Sequence, residues 1–167
     1  MEIEPIRPFF GRIGGKSKIA NKLISLFPEP NSYTTYVEPF IGAGNIFFRK
    51  PYKSKIEVIN DLDDIVYEIF KGVKTEGDLI EDLKPISYLS KTKFNLLLNK
   101  PNKTWIDKLI IVKTSFNSRS LHFGIRKIQH KYILQNTDFI KYKDRLKNVK
   151  ITNLSFEKLI DKYNTTN

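Results

Sequence analysis

The stretch "YVEPFIGAGNIFF", Tyr36 to Phe48, constrains the fold of this chain more than any other. The run "SYTTYVEPF" is β-branched and aromatic and reads as a strand, which hands over to Gly42 and Gly44 with one residue between them. Glycines at the end of a strand bring backbone close to a ligand, because side chains there would block the approach. After the turn comes a helical start. "KIEVINDL" then reads as a second strand with Ile56, Val58 and Ile59 buried, and "DDIVYEIFKGV" as a helix with acids in its first turn. Strand, turn, helix, strand, helix is half of a doubly wound α/β sheet.

The acidic residues around the turn narrow the ligand. Asp61 lies 19 residues after Gly42, at the end of the second strand, where a carboxylate can accept hydrogen bonds from ribose hydroxyls. The third glycine of a dinucleotide fingerprint is missing, since "GAGNIF" places Phe47 at that position. Glu38, beside the turn, would repel a pyrophosphate but suits an ammonium group. S-adenosylmethionine has ribose, adenine and an ammonium group and no phosphate, so these residues favour it over a nicotinamide dinucleotide. The plainer alternative is that Gly42 and Gly44 only make a tight turn and Asp61 only caps a helix.

A length of 167 residues fits one hydrophobic core. There is no cysteine, and two histidines, His122 and His130, without a dense carboxylate cluster argue against a metal centre. No signal peptide and no run of roughly 20 apolar residues is present, so the expected location is cytoplasmic, with no membrane partner. The net charge of +11 is concentrated: Lys100 to Lys150 carry 13 basic residues against the three acids Asp107, Asp138 and Asp144. Such a block attracts a polyanion through counterion release. It could also merely solvate helix faces. Aromatic and polar residues interleaved with the charge in "SFNSRSLHFGIRKIQHKY" favour nucleic acid, because Arg, Asn and Ser read base edges as well as phosphates.

Elsewhere the pattern is mainly helical. "KSKIANKLISLF", Lys16 to Phe27, predicts an amphipathic helix opened by Gly14-Gly15 and closed by Pro28. "GDLIEDLKPI", "SYLSKTKFNLLLNK" and "KTWIDKLIIVKTSF" predict helices punctuated by Pro85 and Pro101, with Trp105, Leu109, Ile110 and Phe116 in the core. "NTDFIKYKDRLKN" predicts a helix capped by Asn136 or Thr137. "VKITN" returns to strand, and "SFEKLIDKY" to a helix capped by Ser155.

"PFFGRIGGKSKIANKLISLFP", "YVEPFIGAGNIFF" and "INDLDDIVYEIF", in this order, resemble the three leading motifs of the Dam-type (D12 class) DNA adenine N6-methyltransferases, F-x-K-W-x-G-G-K, (D/E)-x-F-x-G-x-G and N-D-x-N. The segment "SFNSRSLHFG" is similar in style to the family's target-recognition region. The resemblance implies a partial Rossmann-like S-adenosylmethionine methyltransferase sheet with an inserted, mainly helical target-recognition region. Residues 1–75 would form the N-terminal motif and cofactor-binding α/β half, 76–147 the basic recognition region, and 148–167 the return strand and helix. It also implies that Gly14, Gly15 and Lys16 border the cofactor. Glu38 would face its ammonium, Phe40 line the pocket, Gly42 and Gly44 form the turn, and Asp61 hold the ribose. Asn117, Arg119, His122, Arg126 and Lys127 would approach double-stranded DNA.

Two departures stand out. Arg12 occupies the position where the family usually has tryptophan, in the wall of the cofactor pocket. No D-P-P-Y tetrapeptide occurs in the 167 residues. In the family it lies beside the cofactor strand, accepts hydrogen bonds from the flipped adenine's amino group and stacks on the base. The expectation is therefore an N-terminal methyltransferase portion, inactive alone, whose first strand pairs with a second chain or segment carrying D-P-P-Y or with another copy of itself. The alternative is a catalytically dead DNA-binding protein derived from such an enzyme.

Overall fold

The structure, a computed structural model, describes residues 2–80, 89–124, 134 and 137–164, apart from the side chain of Asn117. The segment "GDLIEDLKPI" from residue 81 onward, Arg126, Lys127 and the proposed cap Asn136 lie outside the described residues. Two compact units are present. The first comprises Met1–Pro8, Gly14–Tyr67 and Asn148–Asn167, and the second Phe9–Ile13 and Glu68–Lys147.

The first unit is built on a parallel three-stranded sheet in the order β1 (Thr35–Glu38), β2 (Ile56–Asn60), β3 (Lys150–Thr152). Val37 is opposite Val58, and Ile59 opposite Ile151. The central strand is covered on both faces, as a parallel strand requires, so Glu57, Val58, Ile59 and Asn60 are all buried, whereas Ile56, expected in the core, is only half-buried at the strand's start. Phe47, Phe48, Val66 and Leu159 complete this core. Among the described residues no strand pairs with the outer edge of β1 or β3.

Two helices expected here come out shorter. Helix α1 spans only Ala20–Ile24, not Lys16 to Phe27. Only Ala20 in it is buried, Ile19 and Leu26 face solvent, and the chain from Leu26 onward tightens into i→i−3 bonds. A short helix with so little apolar face against the core gains little from packing, and packing is what usually sustains helices of this length. The stretch after the glycine turn, residues 42–49, is a series of turns. It holds i→i−4 bonds from Phe48 to Gly44 and from Lys50 to Ile46, but Pro51 prevents extension.

Helix α2 (Asp64–Glu76) begins where Asp63 accepts the Ile65 N–H at 2.8 Å. Helix α6 (Phe156–Tyr163) carries the expected Ser155 cap. In the second unit α3 (Lys91–Asn99) is capped by Ser90, and α4 (Trp105–Thr114) by a reciprocal capping box of Thr104 and Asp107. Helix α5 (Phe139–Leu146) is capped by Asp138 and not by Asn136 or Thr137, because the Asp138 carboxylate accepts the Lys141 N–H. Phe70, Phe139 and Tyr142 each meet Phe9 edge to face in this unit's core, to which the buried Leu109 and Val112 also belong. Trp105 is half-buried rather than core: its ring lies on Gly72, and its N–H donates to Glu76 at 2.8 Å. Ile110 is likewise half-buried. Among the described residues no helix is long and apolar enough to cross a membrane.

Candidate functional site

Ligands of open α/β sheets collect outside the carboxyl ends of the strands, and here that end is built by three loops. Gly42 and Gly44 have φ of 52° and 78°, left-handed values that an L side chain adopts only with strain. The Gly42 N–H donates to the Asp61 carboxylate at 2.8 Å, and the Asp63 N–H donates to its other oxygen at 3.0 Å. Asp61 therefore staples the glycine turn to the end of β2. A carboxylate has about four acceptor positions, so two remain for a ligand hydroxyl.

Glu38, the last residue of β1, is half-buried. Loss of water pushes its carboxyl up to about 7, against the opposing effects of the Tyr36 hydroxyl, the Lys16 charge, the Phe47 N–H and the Lys50 charge. Tyr36 and Glu38 share one face of the strand, and the Tyr36 hydroxyl donates to the Glu38 carboxylate at 2.6 Å. Burial and the neighbouring carboxylate hold that phenol far above its ordinary range. Beneath them Lys50, fully buried, pairs with Glu57 at 2.9 Å and lies 4.2 Å from the centre of the Tyr36 ring. The Lys50–Glu57 pair is not legible in the sequence, where Lys50 is one of 29 basic residues.

Of the other expected residues, Gly14, Gly15 and Lys16 are exposed in the same unit, and Gly14 has a φ of 75°. Phe40 is 60% exposed, and its ring lies 5.8 Å from that of Phe156, which follows β3. Sequence reading missed Phe156, taking it as part of a capped helix; the signal was an aromatic in the first position after the helix cap that follows the third strand. Arg12 belongs to the second unit.

The described nucleic-acid candidates Asn117, Arg119 and His122 lie on one loop of the second unit, between Ser115 and Gly124. The loop is closed by a bridge of Ser115 to Phe123 and by bonds from Phe116 N–H to the His122 carbonyl and from Ser120 N–H to the Ser115 hydroxyl. Ser118 and Ser120 have φ of 55° and 60°, unusual for residues other than glycine. Arg119 between them, and His122, are exposed. Phe116, expected in the core, is instead 61% exposed, as is Leu121, because the tight loop turns both outward. Helical periodicity carried through Thr114 had placed Phe116 on the buried face, but α4 ends there.

Residues 13–109 match the family described as D12 class N6 adenine-specific DNA methyltransferase. A DNA adenine methylase of Haemophilus influenzae is 34% identical over 83 residues, 49% of this chain and 28% of that protein. The type II methyltransferase M.MjaIII of Methanocaldococcus jannaschii is 30% identical over 87 residues, 48% of this chain and 30% of that protein. The type II methyltransferase M1.LlaDCHI of Lactococcus lactis subsp. cremoris is 33% identical over 79 residues, 47% of this chain and 26% of that protein. The chain thus matches less than a third of the length of these relatives.

Proposed function

Because this chain belongs to the D12 class N6 adenine-specific DNA methyltransferase family, we propose that it supplies the S-adenosylmethionine site and the DNA-recognition loop of a site-specific DNA adenine N6-methyltransferase. The observation that carries this reading is the Asp61 staple on Gly42, with Glu38 at the end of the adjacent parallel strand. The donor and acceptor set fits the cofactor. The Glu38 carboxylate is an anion for the methionine ammonium, Asp61 keeps acceptor capacity for ribose hydroxyls, and Gly42 and Gly44 offer unobstructed backbone. Phe40 and Phe156 form an aromatic surface against which a flat base can pack. Lys16 lies close enough to Glu38 for its charge to act on that carboxyl, and in this reading it turns to the cofactor's carboxylate.

When bound, S-adenosylmethionine supplies an electrophilic methyl group. The residues of this chain bind and orient it, and the energetic contribution is positioning. Arg119 and His122 approach DNA, Asn117, Arg126 and Lys127 extend that contact, and Phe116 and Leu121 add an apolar surface to the same loop. Residues 76–147 act as the recognition region, and the adenine-contacting D-P-P-Y comes from another segment or chain, paired along the outer edge of β1. Methyl transfer is not expected of these 167 residues alone.

Calorimetric titration with S-adenosylhomocysteine and with NAD tests the assignment. Binding of the first with at least tenfold preference, weakened by Glu38→Gln, is the expected result. A folded chain that binds neither, or prefers NAD, contradicts it. Methyl transfer by the isolated chain, freed of contaminating enzyme, would contradict the division of labour.

A further inference from the structure

We propose that Asn60 is the positioning residue that registers the loops of the cofactor site, an inference that rests on the cofactor reading above. Asn60 ends the central strand and is 1% exposed. A carboxamide has two N–H donors and an oxygen that accepts two bonds, and all four are used. Nδ2 donates to the Pro39 carbonyl at 3.0 Å and to the Leu154 carbonyl at 2.9 Å. Oδ1 accepts from the Leu154 N–H and from the Thr152 hydroxyl, each at 2.8 Å. The orientation of the amide is fixed by its neighbours, since two carbonyls can only accept and the Leu154 N–H can only donate.

The topology gives these bonds their consequence. Pro39 leads from β1 into Phe40 and the glycine turn, and Leu154 leads from β3 into Ser155 and Phe156. One buried side chain on the middle strand thus ties the loop after the first strand to the loop after the third. Its own backbone carbonyl also receives the Ile41 N–H at 2.8 Å, and the next residue, Asp61, holds Gly42. Leu154 is bonded through both its N–H and its carbonyl, so its position along the strand direction is fixed relative to Pro39. The relative placement of Phe40 and Phe156, the aromatic pair of the proposed base site, follows from that registration. No other residue type does this. Aspartate lacks the two donors, glutamine is longer by a methylene, and leucine removes the partner of the Pro39 carbonyl and of the Leu154 carbonyl and N–H.

The test compares the intact chain with Asn60→Asp and Thr152→Val by amide hydrogen exchange and by calorimetry with S-adenosylhomocysteine. In Asn60→Asp the two carbonyls lose their donors and face a carboxylate. Exchange should quicken by at least tenfold at Ile41, Gly42, Gly44 and Leu154, while Val58 and Ile59 in the strand keep their protection. Affinity should fall about tenfold or more. Thr152→Val removes one bond to Oδ1 without untying the loops, so it should lower the melting temperature and leave affinity within twofold. Unchanged loop exchange in Asn60→Asp, or equal affinity alongside a lower melting temperature, overturns the proposal. Should Asn60→Asp not fold, the intact protein decides: the Asn60 Nδ2 protons must exchange far more slowly than those of the exposed Asn31, and equal rates overturn the proposal. If the intact chain binds neither S-adenosylhomocysteine nor NAD, the cofactor reading falls. The exchange pattern still shows whether Asn60 registers the two loops.

Discussion

Glu38 makes a quantitative prediction, because its carboxyl is held at about 7 by loss of water while its proposed partner is a cation. Only the ionised carboxylate attracts an ammonium. At pH 6, about one molecule in ten carries it, and at pH 8 about nine in ten do, so the apparent Kd for S-adenosylhomocysteine should fall by about tenfold between those values. Binding should also release protons near pH 6.5, which calorimetry in two buffers of different ionisation enthalpy measures directly. Tyr36, Lys16 and Lys50 are the titratable groups acting on Glu38. Stability of the ligand-free chain should run the other way. A carboxyl raised in the folded state favours folding while protonated, and this advantage is lost as pH rises from about 4.5 to about 7, a difference of roughly 3 kcal/mol at about 1.4 kcal/mol per pH unit. Glu38→Gln should therefore bind weakly at every pH and be more stable than the parent at pH 8. A Kd that does not change between pH 6 and pH 8, or a Glu38→Gln variant that follows the parent's curve, would refute the reasoning.

Three further outcomes are expected. Glu57→Gln removes the carboxylate that pairs with the buried Lys50 ammonium at 2.9 Å and should cost about 3–5 kcal/mol in denaturant melts, whereas Lys50→Met with Glu57→Leu should cost less than the single change; equal losses would show that the pair matters only by its volume. Gly72→Ala places a methyl group 2.2 Å from the Trp105 ring and should cost about 1–3 kcal/mol, read from the fluorescence of the chain's single tryptophan; a neutral result would mean that the ring moves aside freely. Arg119→Ala should weaken duplex DNA binding and reduce the slope of log affinity against log salt by about one if the guanidinium meets a phosphate, and an unchanged affinity and slope would remove the Ser115–Gly124 loop from the DNA surface.

The sequence alone specified the elements whose cause is local. β-branched and aromatic runs become β1 and β2 because their side chains suit a pleated surface, Ser155 caps α6 because its hydroxyl meets the Lys158 N–H, and Gly42 and Gly44 take positive φ because they lack a Cβ. Glu38, Gly42 and Asp61 could be named as one constellation because a parallel sheet brings the ends of adjacent strands together. What each does there depended on groups distant in the chain. Asp61 is stapled to Gly42, 19 residues earlier, and Asn60, whose partners the motif around it does not show, becomes fully bonded only when Leu154, 94 residues later, reaches it. The end of α4 before Phe116, the shortness of α1 and the burial of Lys50 against Glu57 likewise follow from tertiary packing. Periodicity states which side chains can share a face. It does not state whether another element comes to cover that face, and the free energy of burial is decided by that cover.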